Sequence, residues 1–294
     1  MRAMRVIVIG FAALLCAAAA LAEPSSPSAF PRAASVSVCT DQYLLSLADA
    51  DQVAAVSWQA TTLRSPVREA AQGLPQIRGL AEEILAVRAD LVIFDPYGHP
   101  ETARRLDGLG TEVFRLGDPV SVVDVEGEVT RMANVLGQSG RGAALVRALE
   151  ARRAALADTV SENAPRALYV SPGGGGAGAD TYVDEVLRLA GFRNLQADLG
   201  HRGWSRVPLE ELVETPPDVI VMSFFETTDP SLLDSFSRHP LFRRMVEMTP
   251  IISVPAASWV CAGPYMLDAA EQLAVERRHL FPDVAPELAE AAAR

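Results

Sequence analysis

The segment Glu82-Glu83-Ile84-Leu85-Ala86-Val87-Arg88-Ala89-Asp90-Leu91-Val92-Ile93 has a second version at Glu210-Glu211-Leu212-Val213-Glu214-Thr215-Pro216-Pro217-Asp218-Val219-Ile220-Val221. Each reads as a short helix headed by two acids, a turn, an aspartate and a branched apolar run that suits a buried strand. The copies begin at 82 and 210, a separation of 128. That period is too long for a solenoid unit and fits two similar lobes. The rest of the chain agrees. β-Branched runs at 35–38, 52–56, 91–94, 112–115, 167–170, 219–222 and 251–254 alternate with helical patterns. The helices are expected at 41–48, 81–87, 100–109, 121–136, 181–190, 208–214, 231–236 and 264–280. This alternation is the signature of an α/β fold.

Between the halves, residues 140–161 are rich in Ala, Leu, Arg and Glu and contain no proline. Leu145, Leu149, Leu156 and Val160 fall near one helical face. Such a helix would reach about 30 Å, enough to run along two domains. The expected organisation is a first lobe over 35–138, a linking helix over 139–162, a second lobe over 163–281 and a tail over 282–294.

Residues 1–22 read as a secretory signal peptide: Arg2 and Arg5, an apolar run from Val6 to Ala20, then Ala20-Leu21-Ala22 before Glu23. The run is shorter than the ~20 residues a membrane span needs, which favours cleavage over anchoring. Leu15 before Cys16 is bulkier than lipoprotein processing accepts. Residues 23–34 form a Pro/Ser-rich leader. Cleavage takes away two arginines and leaves 24 against 37 acids, a net charge of −13. So acidic a chain lacks the basic face of a general nucleic-acid binder. It also contains no lysine, which excludes a Lys Schiff base or a Lys-dependent phosphate loop.

In open α/β sheets, ligands sit beyond the carboxyl ends of the strands. That rule selects Cys39, Thr40 and Asp41, then Trp58 and Gln59, then Tyr97, Gly98 and His99. In the second half it selects the loop 171–180 with Gly174, then Phe224 and Phe225, and Trp259 to Cys261, while Trp204 and His201 lie in a polar loop. Aromatics at several strand mouths suit a bulky, partly apolar ligand. Gly173, Gly175 and Gly178 mimic a dinucleotide fingerprint with Asp198 downstream. No convincing second strand precedes Asp198, so the run reads better as a flexible mouth loop that lets a ligand approach the backbone.

Metal binding is the serious rival. His99, His201, His239 and His279 show no ligand spacing, yet His99 and His201 would face each other across a cleft with Tyr97, Asp41 or Glu226 nearby. Catalysis has little support: there is no Gly-x-Ser-x-Gly elbow, and Cys39 with His99 or His201 lacks a local signature. Cys39 and Cys261 are 222 positions apart. Sequence leaves three states open for them: buried thiols, a ligand-facing thiol pair, or an inter-lobe disulfide.

One ordered set of features resembles a known family. It comprises the strand entering Cys39-Thr40-Asp41-Gln42, the paired acidic-helix segments, the linking helix, and Trp259 shortly before Gly263-Pro264. These resemble the periplasmic binding proteins of ABC importers for iron(III)-siderophores and vitamin B12, over roughly residues 35–280. The resemblance implies two Rossmann-like lobes with mainly parallel sheets, joined by one long helix, with the ligand held between them. It implies a monomer that captures an iron(III)-siderophore or cobalamin-like chelate and needs no cofactor of its own. It also implies delivery to a membrane permease with its cytoplasmic ATPase, one glutamate per lobe docking to permease arginines. By offset these are Glu82 and Glu210, with Glu83 and Glu211 as neighbouring alternatives. Cys39 departs from the family, where many relatives carry Ser or another small residue. A receptor for a bare metal ion or haem is the alternative, and an exported enzyme a remote one.

Overall fold

The computed structural model describes residues 30–156, 160–225 and 238–282. The expected signal peptide, most of the leader and the tail from 283 lie outside the described residues, as do Glu226 and the helix expected at 231–236.

The first lobe is a parallel sheet covered by helices. Its elements are β1 (Ala33–Ser35), α1 (Val38–Leu47), β2 (Val53–Ser57), β3 (Gln76–Ile77), α2 (Ala81–Ala86), β4 (Leu91–Phe94), α3 (Pro100–Leu106), β5 (Glu112–Arg115) and α4 (Val122–Val135). The strand order is β3-β2-β1-β4-β5 with every pair parallel. Next comes α5 (Ser139–Ala154). The second lobe holds β6 (Arg166–Val170), β7 (Gly175–Ala177), α6 (Tyr182–Leu189), β8 (Arg193–Asn194), α7 (Leu195–Asp198), β9 (Trp204–Arg206) and α8 (Glu211–Glu214). It closes with β10 (Val219–Ser223), α9 (Pro240–Met248), β11 (Ile251–Val254) and α10 (Met266–Leu280). Here the parallel order is β11-β10-β6-β8, and β7 and β9 form a separate antiparallel pair.

The internal repeat has one structural job in both lobes. Asp90 accepts the Arg32 backbone N–H at 2.8 Å, and Asp218 accepts the Arg166 backbone N–H at 2.7 Å. Each aspartate therefore satisfies a donor at the entry of its lobe's first strand, and the strand that follows pairs beside that first strand. The copied spacing sets the register of a central strand pair in each sheet.

Where local signals competed, side-chain caps decided. The strand expected over 35–38 ends at Ser35, because Ser37 caps a helix. Its Oγ accepts the Thr40 N–H while Thr40 Oγ1 accepts the Ser37 N–H. This reciprocal box overrides the β-preference of Val36 and Val38. Cys39, Thr40 and Asp41 thus lie in the first turn of α1 rather than at a strand end. Strands β3, β7, β8 and β9 are two or three residues long and carry no apolar run, so no sequence pattern announced them.

Helix α5 joins the lobes and stops at Ala154, short of the expected 162. Its 16 residues reach about 24 Å. It packs on α4, and Arg152 near its end donates to Asp268 and Glu271 of α10 at 2.6–2.8 Å. The largest apolar cluster is continuous through both lobes, from Tyr43 and Leu44 through Met132 and Leu149 to Tyr169, Trp259, Met266 and Leu273. Two smaller clusters fill the opposite faces of the two sheets.

Candidate ligand cleft

The first-lobe wall is built on a buried carboxylate. Asp41 is fully buried and accepts Ser35 Oγ at 2.5 Å, Ser57 N–H at 2.8 Å and Ser57 Oγ at 2.5 Å. It ties α1 to the ends of β1 and β2. Burial pushes its pKa up to about 6, with the nearby Asp95 acting in the same direction and the serine hydrogen bonds opposing. Thr40 is equally buried and spends its hydroxyl on the cap of α1. Both side chains are buried, against the expectation that they line the cleft: Thr40 Oγ1 accepts the Val36 and Ser37 N–H groups where β1 turns into α1, and Asp41 is taken up by Ser35 and by the Ser57 N–H and hydroxyl of β2.

Beyond those strand ends the wall carries aromatic rings. Trp58, just after β2, is 47% exposed, with the Arg78 guanidinium 5.7 Å from its ring centre. Tyr97, after β4, is 81% exposed and donates its hydroxyl to Asp118 at 2.6 Å, a bond that raises the phenol pKa. His99 is a packed residue rather than a free loop imidazole. It caps α3 in the left-handed region (φ 54°), stacks on Phe94 at 5.6 Å and covers Gly79, where a Cβ would lie 2.6 Å from its ring. Arg115 holds the loop beneath by donating to the carbonyls of Asp95 and Gly98.

The second-lobe wall is an aromatic stack. Trp204 on β9 is 59% exposed and leans on Tyr182 and Tyr169, with centroids at 5.5 and 6.5 Å. Tyr169 meets Trp259 edge-on at 5.1 Å. Trp259 itself is buried, its indole N–H donated to Ser223 Oγ at 2.7 Å and its carbonyl accepting the Tyr182 hydroxyl. It supports the wall from behind, a correction to its expected ligand contact. Phe224 follows β10 in a left-handed conformation, and the first-lobe Arg64 guanidinium lies 5.8 Å from its ring, so the pair spans the lobes. Phe225 is partly buried against the second-lobe core.

The glycine-rich run is ordered structure. Gly174 is buried at φ +80°, and its carbonyl accepts the Val207 N–H at 3.0 Å. Gly175–Ala177 pairs with β9. A Cβ at Gly176 would collide with Gln196 Oε1, and one at Gly178 with the His201 carbonyl. The glycines admit the protein's own chain, which corrects the reading of a flexible loop open to a ligand.

Both lobes meet at the floor. Cys39 and Cys261 form a disulfide with Cα atoms 5.6 Å apart, which selects one of the three states left open by the sequence. Beside it, the Tyr43 hydroxyl donates to the Ala262 carbonyl at 3.2 Å. His201 pairs with Glu211 at 3.2 Å. Among the described residues, no three His, Cys, Asp or Glu side chains gather as a metal site would need.

The four repeat acids differ in what they do. Glu83 accepts the backbone N–H groups of Arg78 and Leu80 and so caps α2, and Glu211 holds His201. Glu82 and Glu210 are exposed at the matching positions. Sequence reasoning overlooked Arg64 and Arg78. Their signal was a run of arginines, Arg64, Arg68 and Arg78, within twenty positions after Trp58 in a chain whose basic residues other than His are all arginine.

Comparison with known proteins places this geometry. The periplasmic binding protein family model matches residues 34–246. A cobalamin-binding protein of Halobacterium salinarum is 27% identical over 185 residues, 61% of this chain and 50% of that protein. The chain thus spans about half the length of the curated relatives it matches. The periplasmic haem-binding protein of Roseiflexus sp. RS-1 superposes with a TM-score of 0.69 at 25% identity, covering 85% of this chain and 98% of the other. The periplasmic vitamin B12-binding protein of Vibrio cholerae gives 0.64 at 18% identity, over 85% and 98% of the chains. The chain belongs to the periplasmic binding protein family.

Proposed function

We propose that this periplasmic binding protein captures a bulky metal chelate, an iron(III)-siderophore or cobalamin-like compound, between its two lobes and hands it to an ABC permease. The observation that carries this reading is the pair Trp58 and Trp204: two large rings, each about half exposed, one just after β2 of the first lobe and one at the start of β9 of the second. Leaving so much indole in water forfeits burial energy unless a ligand covers it. Arg64 and Arg78 beside the aromatics add positive charge in a strongly acidic protein. They favour a chelate bearing carboxylates or other anionic groups. The same arginines, with the exposed Tyr97 phenol, support haem as the second reading, since haem joins a flat apolar face to two carboxylates.

In this reading residues 1–22 direct export to the periplasm, and the mature protein acts as a monomer. Glu82 and Glu210 meet permease arginines, two charges held at a fixed spacing that set orientation as well as encounter rate. Titrating the mature protein with ferric siderophores, haem and cobalamin while following Trp fluorescence tests the ligand class. A saturable change with one member is expected, weakened at least tenfold by Trp204→Ala. Silence of the folded protein across the panel would refute the proposal. For docking, Glu82→Arg with Glu210→Arg is expected to abolish uptake and leave ligand affinity intact; surviving uptake would overturn that assignment.

A further inference from the structure

The second lobe carries an apolar groove directly beside Glu210. It lies between α8 and α9, has a volume of about 520 Å³, and is lined by Leu209, Leu212, Val213, Leu241, Met245 and Met248 among others. Leu209 and Leu212 form its buried floor, while Val213 is 63% and Met248 73% exposed at its lips. Single exposed apolar residues are ordinary, but a concave set with a solvent-facing methionine is the form taken by contact surfaces. Glu210 follows Leu209 in sequence, and Glu211 and Glu214 are exposed on the same short helix as Val213. The other copy of the repeat shows the same pairing in weaker form: Leu80 and Leu85 are 52% and 39% exposed on either side of Glu82. Each candidate docking acid therefore sits within an exposed apolar patch, and the patch is deepest on the second lobe.

We propose that the α8–α9 groove receives an apolar side chain from an extracytoplasmic loop of the permease, flanked by cationic residues that meet Glu210 and Glu214. This rests on the docking reading above and adds to it that the second lobe is the dominant half of the footprint. Two features select this occupant. The groove adjoins in sequence the acid assigned to the permease. Arg244 is the charged residue that lines the groove itself, while the exposed Glu210, Glu211 and Glu214 of the α8 segment make that side acidic and complement a cationic loop. A second copy of the chain fits poorly, because both partners would bring the same acids to one contact in a protein of net charge −11.

The test uses the purified, ligand-loaded protein and its permease–ATPase complex in lipid nanodiscs, with affinity read by biolayer interferometry. Val213→Glu and Met248→Glu are each expected to weaken docking about tenfold or more, with ligand titration and melting temperature unchanged. Met248→Leu is expected to dock like the parent. Both positions are exposed, and a milder Met248→Ser, expected to weaken docking in the same direction, covers the case in which a glutamate perturbs α9. Normal docking by the Val213 and Met248 variants, alongside loss with Glu210→Arg, overturns the groove proposal and leaves the docking reading standing. Normal docking by Glu82→Arg/Glu210→Arg as well overturns that reading too. A dimeric parent converted to monomer by Met248→Glu would assign the groove to a second copy and overturn the proposal.

Discussion

Breaking the Cys39–Cys261 bond should weaken the protein through its unfolded state. The bond links residues 222 positions apart, so it ties most of the chain into one loop. On the chain-entropy model a closed loop of that length is worth about 5 kcal/mol at 25 °C. Little is recovered on the native side. The shared core through Tyr43 and Trp259 and the Tyr43–Ala262 hydrogen bond already hold α1 against the segment before α10. At about 2–4 °C per kcal/mol for a chain of this size, reduction should lower the melting temperature by roughly 10 °C or more. Calorimetry of the mature protein with and without a phosphine reductant measures this. Cys39→Ser/Cys261→Ser should melt with the reduced form. Thiol counting on denatured, unreduced protein should find none free. Two free thiols per mature chain, or coincident melts after verified reduction, would refute the reasoning. The bond also lies between the lobes, so its loss should raise amide exchange in α1 and residues 259–265 first.

Two further outcomes test the site assignments. An aspartate of ordinary pKa 3.8 in the unfolded chain and about 6 in the fold leaves the native state with more bound protons between those values. The Asp41 contribution therefore makes stability fall as pH rises from about 4 to about 6 and stay flat above, by on the order of 3 kcal/mol. Asp41→Asn removes that component, so the difference in melting temperature between parent and variant should change between pH 4.5 and 7.5; a constant difference would contradict a raised pKa. Trp259→Phe removes the indole donor to the buried Ser223 hydroxyl, which keeps its own bond to the Val254 carbonyl, and should cost about 1 kcal/mol for the lost hydrogen bond with ligand affinity retained. Trp204→Ala should do the reverse, and a large affinity loss in the Trp259 variant would restore that residue to the ligand surface.

Local pattern carried the architecture. The strands at 91–94, 112–115 and 251–254 fall where their branched apolar runs lie, and the repeat announced a shared helix–turn–Asp–strand unit whose aspartates hold matching backbone donors. Such features are legible because burial on a sheet imposes a short period on neighbouring residues. The cleft was legible only in part. The strand-end rule named Trp58 and Tyr97, which the fold leaves exposed, together with Thr40, Asp41 and Trp259, which it buries; the exposed Trp204 was named from its polar loop instead. The rule names loops, whereas exposure depends on what packs over each side chain. Ser37 turned an expected strand end into a helix cap, and Ser223 on β10 captured the Trp259 indole from 36 residues away. The cysteine pair shows the same division. Sequence supplied two cysteines with three states open to them, while their union required α1 of one lobe to meet the segment before α10 of the other, a contact between residues 222 positions apart that no local period encodes.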